Sequence, residues 1–171
     1  MKIMIFGDSG AGKSTFAQKL GKHISVDVIH LDEVMEKLGR QDKAAIGAYI
    51  AAETSKAKWI MDGNAFTKDK HARIAAADLI IVFDINRFKA LASHIARYIK
   101  LKTGIQKAAA GGHSTKLNLP YYVPYILWQF PGRKQEAIER ATKSGKPMMF
   151  VKSHRQADAL LKELAGAHKA A

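Results

Sequence analysis

One stretch limits this chain more than any other. Gly7-Asp8-Ser9-Gly10-Ala11-Gly12-Lys13-Ser14-Thr15 matches G-x-x-x-x-G-K-[ST] at every fixed position. The apolar run Ile3-Met4-Ile5-Phe6 precedes it and reads as a buried strand; Phe16, Ala17 and Leu20 follow at helical spacing. A strand, a glycine-rich turn and a helix start form the setting of a phosphate-binding loop. Glycines let backbone N–H groups turn inward with no Cβ in the way. Those donors, with the positive end of the following helix, cradle phosphate oxygens. In such a loop Lys13 reaches the outer phosphates and the Ser14 hydroxyl helps hold Mg²⁺, so ATP with Mg²⁺ is the expected ligand.

The 171 residues suit a single domain, 1–171, and a hydrophobic content of 47% is ample for its core. There is no cysteine, hence no disulfide and no thiolate metal site, which fits a reducing compartment. The apolar run before Gly7 is too short for a secretory signal. No stretch approaches the roughly 18 apolar residues of a membrane span. A cytoplasmic protein without membrane contact is expected. The net charge is +13, and it is unevenly placed: Arg97–Arg155 holds 12 Lys or Arg against Glu136 and Glu139, or +10. Such a region attracts polyanions, although a solvated basic surface that aids solubility explains any single lysine as well.

Further strands are expected at Asp27–Leu31, Trp59–Met61, Asp78–Asp84 and Pro147–Val151. Between them the pattern predicts short helices near Glu33–Leu38 and from a Thr67 cap to Ala76, and an Asp42-capped helix to about Lys56. A helix from Asn86 carries Phe88, Leu91, Ile95, Tyr98 and Ile99 along one stripe. Thr103–Leu119 reads as a long glycine- and lysine-bearing loop, functional or mobile. An aromatic segment, Pro120–Pro131, and a basic helix near Gly132–Lys143 follow. Ser153 and Gln156 form a capping box for a last helix that buries Ala157, Leu160, Leu161 and Leu164, with a frayed tail after Gly166. Alternating strands and helices give a three-layer α/β/α domain, with continuous apolar runs marking a parallel sheet. Ligands then bind at the carboxyl ends of the strands. Gly7–Ser14, Asp32, Asp62 and the segment after Asp84 all lie there, so two carboxylates sit beside the phosphate loop.

At this point the residues resemble a known group. The phosphate loop, His30-Leu31-Asp32, Trp59-Ile60-Met61-Asp62-Gly63-Asn64 and Phe83-Asp84-x-x-Arg87 look like the adenylate kinase-related family labelled DNA topology modulation protein (FlaR-like). The Arg97 stretch and Val151-Lys152-Ser153 are similar to it as well, so the likeness covers most of the chain. The wider group is the P-loop nucleoside and small-molecule kinases. The resemblance implies a P-loop NTPase fold with a five-stranded parallel sheet in the order 2-3-1-4-5 and a mobile lid. It places Asp32 near the acceptor hydroxyl or the metal, and Asp62 near Mg²⁺ through water. It makes Arg97 and Arg133 lid arginines within a basic lid region, 97–140, and sets His154 and Arg155 against the adenine. Apart from the resemblance, a kinase reading makes residues 33–57 the acceptor-binding helices, with Arg40 and Asn64 on the substrate side. Two departures stand out. Asn86 replaces the proline the family often has before Arg87. Asp62-Gly63-Asn64-Ala65-Phe66 lacks the Pro-Arg with which adenylate kinases grip a nucleoside monophosphate, which counts against adenylate kinase activity.

Each residue also has a plainer reading. Asp32 caps a helix. Asp62-Gly63 forms a turn. Arg40 is a surface arginine, and Arg97 salt-bridges along a helix face. Tyr121, Tyr122, Tyr125, Trp128 and Phe130 pack, or contact a second copy, rather than stack on bases. His30 is a packed or supporting residue, and no histidine shows metal spacing such as H-E-x-x-H. No N-K-x-D segment follows a strand, which disfavours a GTPase. The first expectation is therefore a kinase passing the ATP γ-phosphate to a small nucleoside, nucleotide or other hydroxylated acceptor, as a monomer or homodimer. The alternative is a nucleotide-gated nucleic-acid binder using the basic C-terminal third, although no nucleic-acid motif supports it.

Overall fold

The computed structural model describes residues 1–64, 70–103 and 123–170. Five strands, β1 (Lys2–Gly7), β2 (Val28–His30), β3 (Trp59–Asp62), β4 (Leu79–Phe83) and β5 (Met148–Val151), form one sheet in the order β2-β3-β1-β4-β5. All pairings are parallel. The register sets Ile5 beside Asp62, Asp62 beside His30, and Gly7 beside Phe83, so the strands end on one common edge. The expected order and layering hold.

Side-chain alternation divides the core between the two faces. Ile3 and Ile5 pack with Phe16, Leu20, Leu160 and Leu161, which belong to α1 (Lys13–Ile24) and the last helix, α7 (His154–Ala170). Met4, Phe6, Trp59 and Met61 pack on the other face against Ile74 of α4 (Lys70–Ala76) and Ala137 and Ala141 of α6 (Phe130–Lys143). A small cluster of Leu31, Ile46 and Ile50 joins α2 (Leu31–Leu38) to α3 (Lys43–Ser55). The Asp42 cap forms, with Oδ1 accepting from the Ala45 N–H at 2.9 Å.

The local differences have identifiable causes. Leu31 opens α2 instead of ending β2, because no turn residue separates them and Leu31 is drawn into the core. The basic helix begins at Phe130, two residues early, after a π-helical turn at Tyr125–Gln129. Pro131 falls in its first turn, where its missing N–H costs nothing. Gln156 donates its backbone N–H to Ser153 Oγ at 3.2 Å, but its side chain accepts from Lys152 rather than from the Ser153 N–H, so the box is shifted by one residue. The tail does not fray: α7 runs to Ala170, since alanine-rich helix propensity outweighs one glycine. The stripe of α5 (Arg87–Lys102) is only partly covered; Phe88 and Ile99 are exposed, as is Trp128 on the π turn. The Thr67 cap and much of the expected lid, 104–122, lie outside the described residues.

Candidate active site

The phosphate loop leaves β1 through Gly7, whose φ is 144°; a Cβ there would meet Phe83 O at 2.2 Å. Only glycine permits that approach to β4. Asn64, just beyond β3, fixes the same residue from the other side. Its Oδ1 accepts from the Gly7 N–H at 3.0 Å and its Nδ2 donates to the Gly7 carbonyl at 2.7 Å. Both ends of the amide are thus used within the protein. The loop closes at Gly12, with φ 87°, which starts α1 without a side-chain cap. No side chain caps that first turn, and the positive end of a helix draws an anion. Lys13, largely buried, donates from Nζ to the Asp8 carbonyl at 2.8 Å.

Asp62 ends β3 beside this loop and is 4% exposed. Its Oδ2 lies 3.1 Å from His30 Nδ1, and the His30 Nε2 is 3.4 Å from Gln18 Nε2. Burial works against ionisation of Asp62. The His30 bond, the Lys13 charge and the Ser14 hydroxyl outweigh it and hold the carboxyl below its usual range. The same Asp62 bond, opposed by burial and aided by the negative charges of Asp62, Glu33 and Asp32, raises His30. Asp62 Oδ1 is buried with no hydrogen-bond partner. A bare carboxylate oxygen near a serine hydroxyl fits a hard cation that keeps most of its waters. Among the described residues no three His, Asp or Glu side chains converge into a metal cage made of protein alone.

Asp32 stands half-buried in the first turn of α2, and its charge is felt at His30. Its role is set by neither a cap nor a ligand contact. Arg40 is exposed in the turn between α2 and α3. Arg133 is exposed on α6, with its guanidinium 5.8 Å from the centroid of the Tyr125 ring. Arg97 lies on α5, and its side chain is outside the described residues. His154 faces the loop: a Cβ on Gly12 would lie 3.5 Å from its Nε2. A cleft of about 310 Å³ opens there, lined by Gly12, Thr15, Lys19, Phe83, His154 and Leu161. Phe16 and Phe83 meet edge to face at its base, 5.4 Å between centroids. Arg155, the next residue, is exposed and does not line the cleft.

Sequence reasoning missed three groups. The first is Lys134, which bridges Asp8 and Asp84 at 2.9 and 2.7 Å, so that this neighbour of Arg133 bonds the phosphate loop from α6. The second is the contact Asn64 makes: expected on the substrate side, it clamps Gly7. The third is Arg73 on α4, fully buried, whose Nη1 donates to Gly63 O at 3.3 Å and so supports the turn after Asp62. A signal for Lys134 was present: two acids at neighbouring strand ends call for a cation.

Comparison with solved structures gives the fold. A shikimate kinase from Bacteroides thetaiotaomicron matches with a TM-score of 0.58 and 12% identity, over 99% of this chain and 98% of that one. Deoxyadenosine kinase from M. mycoides with bound dATP matches at 0.56 and 13%, over 96% and 99%. A shikimate kinase from Aquifex aeolicus matches at 0.53 and 16%, over 99% and 98%. The chain has the P-loop kinase fold. No family model and no curated protein sequence matches it, so the likeness to the FlaR-like group stands on the motifs quoted above alone.

Proposed function

We propose that this chain is a phosphotransferase that passes the γ-phosphate of ATP to a small hydroxylated acceptor, such as a nucleoside or a nucleotide. One observation carries the reading: a phosphate loop with its lysine lies against a buried carboxylate that has one oxygen unpartnered. Solved structures sharing the fold are small-molecule and nucleoside kinases, which supports the same class. In the reaction an acceptor oxygen attacks the γ-phosphorus in line, and ADP leaves.

The residues divide the work. Loop amides and Lys13 hold the phosphates, and Lys13 turns from the Asp8 carbonyl to the outer phosphate. Ser14 and Asp62, with Asp32 as a further candidate, would hold Mg²⁺. Held by these residues, Mg²⁺ would supply positive charge to offset what develops on the phosphates. His30 keeps the Asp62 carboxylate oriented. Asp32, where it does not hold the metal, is the carboxylate that would take the hydroxyl proton of the acceptor. The cleft beside His154 receives the nucleoside; Arg155, outside that cleft, would reach the adenine only from the adjoining turn of α7. Arg97 and Arg133 supply lid charge, and residues 33–57, with Arg40, form the acceptor wall. Positioning and charge neutralisation provide most of the rate. Screening ATP turnover against nucleosides, nucleotides and other small hydroxylated compounds tests the reading. Turnover stimulated by one acceptor supports it; no calorimetric uptake of Mg-ATP overturns it.

A second reading draws on charge alone. α5 contains no acid, and Arg97–Arg155 carries +10. A nucleic-acid binder using this surface, the role that the topology-modulation label suggests, would lose affinity steeply with salt. A flat titration with duplex DNA at low salt would dispose of it.

A further inference from the structure

Asp8 is a buried carboxylate inside the phosphate loop, 1% exposed. Its Oδ2 accepts from Lys134 Nζ at 2.9 Å, and the same ammonium donates to Asp84 Oδ1 at 2.7 Å. Lys134 reaches in from α6, a helix on the opposite side of the sheet from α1. The backbone of Asp8 is equally engaged. Its N–H donates to Phe83 O at 3.2 Å, and its carbonyl accepts from the Ala11 N–H at 3.2 Å and from Lys13 Nζ at 2.8 Å. Asp8 therefore holds the lysine of the phosphate loop through its carbonyl, and Lys134 holds Asp8 through its carboxylate.

We propose that Lys134 is a positioning residue for nucleotide binding: it pins Asp8, and through Asp8 it keeps the loop and Lys13 in the shape that receives a triphosphate. The proposal rests on the phosphotransferase reading above. A packing role alone does not account for the geometry, because Lys134 spends its ammonium on two carboxylates that would otherwise repel each other at the strand ends. The electrostatics agree with the geometry. Burial pushes the Asp8 carboxyl up, Asp84 adds to that, and the bond and charge of Lys134 oppose both, with Lys13 helping. Without Lys134, Lys13 is the cation that still acts on the buried acid among the described residues. The carboxyl then takes up a proton at higher pH, and the loop loses its anchor.

The test is Mg-ATP affinity by calorimetry, measured across pH for the full chain and for its Lys134→Met and Lys134→Arg variants. Lys134→Met is expected to weaken binding roughly tenfold or more, with a dependence on pH that the parent lacks. Lys134→Arg, whose fork can bridge two carboxylates, is expected to recover most of the loss. A methionine variant that binds as the parent does, with the same pH profile, overturns the proposal. So does an equal loss in both variants.

A nucleotide-free measurement separates this claim from the functional reading. Thermal unfolding is compared for Lys134→Met, Asp8→Asn and the double variant. The double variant is expected to be more stable than Lys134→Met alone, because the buried acid left without its cation is gone. No gain overturns the coupling, whether or not the parent binds nucleotide. A Lys134→Met chain that fails to fold is read through the same cycle: regained folding in the double variant supports the pairing, and none overturns it.

Discussion

His30 Nδ1 sits 3.1 Å from Asp62 Oδ2 at the ends of two paired strands, β2 and β3. Asp62 is lowered and His30 raised, so the two are charged together between those displaced values. The Asp62 contribution to stability is present above its unfolded value and is lost as pH falls through the folded one. The His30 contribution is present below its unfolded value and is lost as pH rises through the raised folded one. The pair therefore stabilises most in the mildly acidic range and fades on both sides. Unfolding midpoints against pH should show this arch in the parent, and His30→Gln should flatten it. An NMR titration of His30 should place its midpoint above 6.5; a value at or below that would contradict the assignment.

Replacing Lys13 by alanine removes the one ammonium inside the loop. Its hydrogen bond to the Asp8 carbonyl contributes about 1 kcal/mol to folding, so circular dichroism should report an intact fold. Loss of charge stabilisation at the transferred phosphoryl group should cut ATP turnover by about a thousandfold. Equal turnover in variant and parent would remove Lys13 from the chemistry.

Asn64→Ala should destabilise the fold by about 1–3 kcal/mol, since it strips both hydrogen bonds from Gly7. Urea unfolding reads the loss directly. Because Gly7 begins the loop, the Michaelis constant for ATP should rise in the same variant. A change confined to the acceptor constant would instead make Asn64 a substrate ligand.

Gly7→Ala is the harsher change. A methyl group would sit 2.2 Å from a backbone oxygen at a φ of 144°, and a main chain cannot yield as a flexible side chain does. The expected outcome is a chain that fails to reach a cooperative unfolding transition.

The parts legible in the sequence were those written in short-range patterns. The phosphate loop announces itself in consecutive residues, and β4 in a continuous apolar run. The sheet order followed from resemblance, and the register then brings Asp62 to the edge beside Gly7. The illegible parts are contacts made across the chain. Lys134 and Asp8 are 126 residues apart and Asn64 and Gly7 are 57 apart, separations at which no spacing rule operates. A helix-face pattern also overstated α5, because periodicity marks an apolar stripe without saying what covers it; Phe88 is 62% exposed. Arginine drew attention as the expected lid charge, whereas the lysine beside it makes the contact.

The chain's two tryptophans occupy opposite extremes of environment: Trp59 is 1% exposed within the sheet, and Trp128 is 71% exposed on the π turn. Its intrinsic fluorescence is therefore the sum of a blue-shifted emitter shielded from iodide and a red-shifted one open to collisional quenching. A solute that dims only the second would report on the α6 side of the molecule in native protein, with no dye attached.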